Sequence, residues 1–272
     1  MIISINNDFT FIHIPKNAGS DIRHQLGKLD KYNSEFNCFY EHPNLGKTHS
    51  GHLTLQEIKD HYPDQYQEVL NTECFAIVRD PMDRFVSALS QRLREFKGCL
   101  AVEITQDKLV EEAKEVLSLI EGKTSEQLPV ELIHFRKQVD FIYDKDGNQI
   151  VKNLFSIEDI PAAIEWLNKD IGLNIEYKDD QIRQNSTMEI KNPLLNQLIS
   201  PLLVLLKPLI EKMPTRLIRR IKSLSIKLGI YGKAETKSEI YTNNPEIFQR
   251  VSSHFMDDVK LYQAVELQAA SI

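Results

Sequence analysis

Lys16 closes an apolar run, Phe11-Ile-His-Ile-Pro, and is followed by Asn17-Ala18-Gly19-Ser20. A lysine in a strand-to-helix turn, with a glycine that permits close backbone approach, is suited to holding an anion. The amides at the helix start point outward, and the ammonium adds a point charge. The order is not that of the G-x-x-x-x-G-K-[ST] phosphate loop, because here the lysine precedes the glycine. A second turn follows Phe75-Ala-Ile-Val and reads Arg79-Asp80-Pro81-Met-Asp-Arg84-Phe-Val-Ser87. Arg79 arrives at the C-terminal end of a strand, the edge where open α/β sheets bind ligands. Arg84 and Ser87 are three apart and share a helix face, so a guanidinium and a hydroxyl there could grip a phosphate. Each turn alone is also compatible with a solvated surface turn. Together, two strand-end cations suggest a ligand with two separated anionic groups.

The elements that must position these residues can be read from pattern. Phe9 to Ile14 alternates and is β-branched, a strand. A helix starts near Ser20 or Asp21, with Ile22 and Leu26 on one face. Leu29 to Ser50 is polar and Asn-rich and reads as irregular. Thr54-Leu-Gln-Glu57 is a capping box opening a helix from Leu55 toward Tyr62. Cys74 to Val78 is a continuous apolar run, as in a strand covered on both faces. Asp80 suits an N-cap, Pro81 the first helical position and Asp83 the first turn. Further helices are expected from Thr105 to Ile120, from Pro161, and from Pro245 to Val265. Asp146-Gly147 between Phe141–Tyr143 and Ile150–Phe155 signals a hairpin. This order predicts a three-layer α/β fold with a central, mostly parallel sheet. No Pro/Gly/Ser-rich linker interrupts it, so residues 1–272 are expected to form a single domain with a basic, apolar helical insert at about 191–233.

FIHIPKNAGS resembles the 5′-phosphosulfate loop of sulfotransferases, F-x-H-I-P-K-x-A-G-[ST], and FAIVRDPMDRFVSAL resembles their 3′-phosphate motif, R-D-P-x-x-R-x-x-S. Weaker likenesses follow in the right order. His134-Phe135-Arg136-Lys137-Gln138 resembles an HFRPQ-like stretch, with Lys137 where proline is usual. VKNLFSIEDI resembles the strand ending in Phe-x-x-Glu-Asp/Asn-Leu, and Gln184-Asn185-Ser186-Thr187 a short Asn-Ser/Thr motif. The last helix resembles a terminal Y-x-x-D-x-x-x-Y stretch. The resemblance covers most of the chain and points to the carbohydrate-type class, with a P-loop-like phosphosulfate-binding loop. It implies 3′-phosphoadenosine 5′-phosphosulfate as donor and an acceptor hydroxyl or amine, on a glycan or glycolipid. By motif match, Lys16 neutralises charge on the leaving oxygen. The backbone of Asn17, Ala18, Gly19 and Ser20 holds the 5′-phosphate, and Arg79 and Ser87 hold the 3′-phosphate. No metal is expected.

Such a transfer needs a base for the acceptor proton, and histidine titrates in the right range. His52, in Thr48-His49-Ser50-Gly51-His52, is the first candidate, with His49 a near rival and His134 a more distant one. A loop histidine that only packs or caps is the plain alternative. His13 on the strand is expected to be structural, and Glu57 to serve the capping box.

The chain has 272 residues, 42% of them hydrophobic, enough for a sizeable core and too ordered in composition for global disorder. A net charge of −6 argues against nucleic acid as a partner. Three cysteines without ligand spacing argue against a disulfide framework or a zinc site. The first residues carry no basic and apolar leader pattern, so a cytoplasmic enzyme is expected. Residues 191–233 hold nine Lys or Arg and one acid, Glu211. The apolar run from Leu194 is broken by Pro201, Lys207 and Pro208, short of membrane-spanning length. Three readings stay open for 194–229: a helix lying on an anionic membrane at the inner face, a lid that receives an acidic acceptor, or a core helix with a solvated basic face. Two other functions also fit the turns, a P-loop-like kinase and a membrane-associated nucleotide-binding module without chemistry. The misplaced lysine and the absence of evident Mg²⁺ ligands weigh against the kinase.

Overall fold

The run Cys74 to Val78 forms the inner part of a strand that is buried on both sides. In a computed structural model this strand is β5 (Glu73–Val78). The model describes residues 1–176, 188–190, 231–233 and 239–270, with single positions between 195 and 225. β5 pairs in parallel with β2 (Phe9–Ile12) on one side and with β6 (Asn153–Ser156) on the other. β1 (Ile2–Ser4) adds an antiparallel edge, giving the order β1-β2-β5-β6. Phe11 lies opposite Phe75, and Ile77 opposite Phe155.

The two-residue period of β5 assigns its side chains to two cores. Phe75 and Ile77 meet α1 (Gly19–Leu26) and α6 (Ile160–Lys169) through Ile22, Leu26, Ile164 and Leu167. Cys74, Ala76 and Val78 meet α2 (Leu55–His61), α3 (Pro63–Leu70) and α9 (Met256–Ala269) through Leu55, Ile58, Val69 and Leu261. The chain is thus an α/β fold with a mostly parallel four-stranded sheet flanked by helices. A third core joins α4 (Pro81–Glu95), α5 (Gln106–Ile120), α7 (Glu239–Asn243) and α8 (Pro245–His254).

Local signals hold at the caps. Thr54 and Glu57 form the capping box of α2, Asp80 caps α4, and Thr105 caps α5. Three expectations fail. The stretch expected to be irregular, 29–50, contains the hairpin β3 (Phe39–His42) and β4 (Gly46–His49), turned at Gly46 with φ 64°. The hairpin expected around Asp146-Gly147 is reduced to one bridge, Tyr143 to Gln149, because its second arm is taken by β5 as β6. The single terminal helix is two, α8 and α9, broken at Phe255. That ring is buried against Phe85, and its burial outweighs helical continuity. Most of 191–233, including the amphipathic stretch 214–229, lies outside the described residues, as does Gln184 to Thr187. The strands β7 (Met188–Ile190) and β8 (Tyr231–Lys233) bracket that segment as an antiparallel pair.

Candidate functional site

The turn after β2 departs from ordinary backbone. Lys16 has φ 69° and Ala18 φ 57°, both left-handed without being glycine. Such residues cost about 1–3 kcal/mol each and persist where the surroundings over-determine them. Left-handed residues interleaved with right-handed ones turn successive amides toward one side, a shape that takes anions. The surroundings are visible. Asn17, buried under the turn, donates from Nδ2 to the carbonyl of Ile77 at 2.8 Å and to Gln138 Oε1 at 2.6 Å. Gly19 opens α1 with no room for a side chain, since a Cβ there would stand 1.8 Å from Cδ2 of His13.

The turn after β5 is held by side chains. Asp80 accepts from the amides of Met82 at 2.8 Å and Asp83 at 3.1 Å, and Pro81 fills the first helical position. Arg79 donates from Nη1 to the carbonyl of Lys16 at 3.2 Å and lies 3.5 Å from Asp83. Its Nε is buried and has no hydrogen-bond partner among the described residues. An orphaned guanidinium N–H beside a nest-shaped turn fits an anionic ligand.

Gln138 ties the two turns together. Its Oε1 accepts from Asn17 and from the Arg79 amide at 3.1 Å, while its Nε2 donates to the Arg79 carbonyl at 2.9 Å. The Gln138 amide in turn donates to Asp258 at 2.9 Å. One expected pairing is corrected here. Arg84 does not share a phosphate-gripping face with Ser87. It is fully buried and donates to the carbonyls of His134 and Arg136, with Asp258 at 3.4 Å. Ser87 is half-buried on α4. One turn on, Gln91 accepts from Lys16 Nζ at 3.4 Å.

Histidines gather beside Lys16. His52 ends a 3-10 turn, Ser50–His52. Its ring stacks on His49 at 4.4 Å and meets His13 at 4.8 Å and His134 at 5.5 Å. The Nδ1 atoms of His13, His52 and His134 are buried without a partner among the described residues. Burial, followed by the neighbouring imidazoles, holds His52 well below the ordinary imidazole range. Burial lowers His49 to about 4, and burial with Lys16 lowers His134 to about 3. These rings are therefore neutral at pH 7. Arg136 fixes the backbone here, donating to the His52 carbonyl at 2.8 Å and to both oxygens of Glu57 at 2.6 and 2.7 Å. Among the described residues no group of His, Cys, Asp or Glu is arranged to hold a metal ion.

With this geometry in place, comparison with known families is decisive. The sequence model of the sulfotransferase family matches residues 1–263. The chain belongs to the sulfotransferase family. No curated protein and no solved structure matched it. A sulfotransferase moves a sulfuryl group from 3′-phosphoadenosine 5′-phosphosulfate, so this chain is an enzyme that uses that donor. In this sulfotransferase the sequence-nominated Lys16, Asn17, Ala18, Gly19 and Arg79 come together at the ends of β2 and β5, with Ser20 and Ser87 on the helices that follow. His52, His49, His134 and His13 form one cluster. Pattern reading gave no role to Gln138, Arg136, Gln91 or Asp258. The motif likenesses contain the first two, and the terminal stretch contains Asp258, but their contacts across the site span 59 to 174 residues of sequence. No helix among the described residues is long and apolar enough to cross a membrane.

Proposed function

We propose that this sulfotransferase sulfates a hydroxyl of a glycan or glycolipid, that residues 1–272 act as one catalytic domain, and that the two turns hold opposite ends of the donor. The observation that supports the donor reading is the hydrogen bond from Arg79 to the Lys16 carbonyl at 3.2 Å, which brings the two turns side by side. The glycan acceptor rests on the likeness of both motifs to the carbohydrate-type class. In this reading the amides of Asn17, Ala18, Gly19 and Ser20 hold the 5′-phosphate. Arg79 and Ser87 hold the 3′-phosphate, which distinguishes this donor from ATP.

The donor supplies a sulfuryl group on an activated anhydride. The acceptor oxygen forms a bond to sulfur as the bond from sulfur to the 5′-phosphate oxygen breaks. Lys16 neutralises the charge that gathers on that leaving oxygen, so its effect is felt in the transition state. His52 takes the acceptor proton. Its depressed pKa keeps the ring neutral and able to accept, and the anionic donor beside it raises that pKa when bound. Arg136 keeps the His52 backbone in place.

Calorimetry with adenosine 3′,5′-bisphosphate against ATP tests the donor half. The bisphosphate should bind at least tenfold more tightly, and equal or reversed affinity would sink the assignment of Arg79 and Ser87. A screen of glycans with radiolabelled donor tests the acceptor. Loss of turnover in His52→Ala with donor binding retained is the expected result for the base. Wild-type turnover in that variant removes His52 from the role.

A further inference from the structure

Arg94 stands apart from the other described arginines in its charge balance. Arg23 faces Asp30, Arg79 faces Asp83, and Arg84 faces Asp258. Arg92 faces Glu112 and Glu115, Arg136 faces Glu57, and Arg250 faces Glu121. Among the described residues Arg94 is the one arginine with no carboxylate within ion-pair distance. It is half-buried, and it donates only to neutral groups, the Ser90 carbonyl at 3.1 Å and Gln91 Oε1 at 3.0 Å. Partial burial of a cation without a direct ion pair is unfavourable, and burial lowers its pKa although the neighbouring Glu95 carboxylate, which accepts from Gln91 Nε2 at 2.9 Å, acts the other way. Such a group has the capacity to be completed by an anionic ligand.

The position says which ligand. Gln91 Oε1 accepts from Arg94 Nη2 at 3.0 Å and from Lys16 Nζ at 3.4 Å, so the two cations are two hydrogen-bond lengths apart. Ser87, Gln91 and Arg94 follow one another at helical spacing along one stripe of α4. That stripe runs from the Arg79 turn, past Lys16, to Arg94. Arg94 therefore lies beyond the lysine on the side away from the 3′-phosphate clamp. Its charge is close enough to act on His134, together with Lys16 and Arg84. Of the charged side chains that act on these rings, Arg23 acts on His13 and His49, and Lys16, Arg84 and Arg94 act on His134. Lys16 and Arg94 thus stand as two cations on one acceptor atom of α4, in a chain whose net charge is −6.

We propose that Arg94 is an acceptor-recognition residue, binding an anionic group (a carboxylate, sulfate or phosphate ester) carried by the acceptor near the hydroxyl that is sulfated. The assignment rests on the sulfotransferase reading of the two turns. Gln91 orients both cations, so one amide side chain sets the spacing between the leaving group and the acceptor's charge.

The test uses the full chain saturated with adenosine 3′,5′-bisphosphate. Glucuronate, glucose 6-sulfate, glucose 6-phosphate and neutral methyl glucoside are titrated by ligand-observed NMR into wild type, Arg94→Gln and Arg94→Lys. At least one charged sugar should bind wild type tenfold or more tightly than methyl glucoside, and the three charged arms tell a uronate acceptor from a sulfated or phosphorylated one. Arg94→Gln should erase that preference and Arg94→Lys keep part of it, with bisphosphate affinity and Tm unchanged in both. A wild type that does not prefer any charged sugar, or a preference that survives in Arg94→Gln, overturns the proposal. A parallel loss of Tm and bisphosphate affinity in Arg94→Gln also overturns it, since that marks a structural role. Failure of the bisphosphate to bind wild type would instead bring down the donor reading, which separates the two failures.

Discussion

The turn after β2 is shaped by its backbone, with Lys16 and Ala18 left-handed over a buried Asn17. The turn after β5 keeps ordinary dihedrals at its cap, Asp80 at φ −48° and ψ 122°, and presents a guanidinium instead. The first is suited to wrapping a phosphate in amides that are already in place, the second to reaching one with a charged fork. The contrast explains why one turn needs a glycine and a buried amide beneath it while the other needs only a helix cap. It also separates two arginines of one motif. Arg79 reaches across to the Lys16 carbonyl, whereas Arg84, five residues on, is buried among carbonyls and Asp258 and holds the two turns' support together.

The sharpest break in the comparison is Arg84→Ala. It leaves Asp258 buried without its cation and should cost about 3–5 kcal/mol of stability by urea denaturation. A wild-type midpoint would mean that Arg84 is not the brace described. Next is Lys16→Ala, expected to lower kcat roughly 10²–10³-fold while bisphosphate affinity changes far less. Equal losses in both would make Lys16 a simple binding residue. Arg79→Ala should show the opposite balance, weakening the bisphosphate roughly 10–100-fold, the worth of a charged hydrogen bond. Its stability should stay near wild type, in contrast to Arg84→Ala.

Acid acts on the first turn, because His13 lies under Gly19 and His134 beside Lys16. The imidazoles of the cluster have folded-state pKa values below the ordinary 6.5, with His49 at about 4. The unfolded chain therefore binds more protons than the fold in this range. Stability should be full above about pH 6.5 and be lost as pH falls toward 4, by roughly 2 kcal/mol at pH 5 relative to pH 7.5 for His49 alone, with His13, His52 and His134 adding in the same direction. A flat profile of urea midpoints over that range would show that the histidines are not held neutral by burial.

Much of this was legible in local signals. The capping box at Thr54, the cap and proline at Asp80-Pro81 and the continuous apolar β5 are each decided within a few residues of chain, and the structure keeps them. What depended on distant partners was read less well. The arm Ile150–Phe155 has good hairpin chemistry at Asp146-Gly147, yet the buried strand β5 offers it a parallel ladder and takes it. Phe255 sits in an uninterrupted helical pattern, but its ring is buried against Phe85 and the helix breaks there. Arg84 and Arg79 look alike in the motif, and only packing against α9 makes one internal.

The order of residues by itself determined the two cationic turns and the strands that deliver them, because strand burial, caps and turn chemistry are short-range properties written in neighbouring side chains. Only the tertiary structure decided that Gln138 joins Asn17 to Arg79, that four histidines share one cluster, and that Arg94 has no direct ion pair among the described residues. Hydrogen bonds and ion pairs act over a few ångströms in space, and the groups they join here come from chain segments that no sequence spacing brings together.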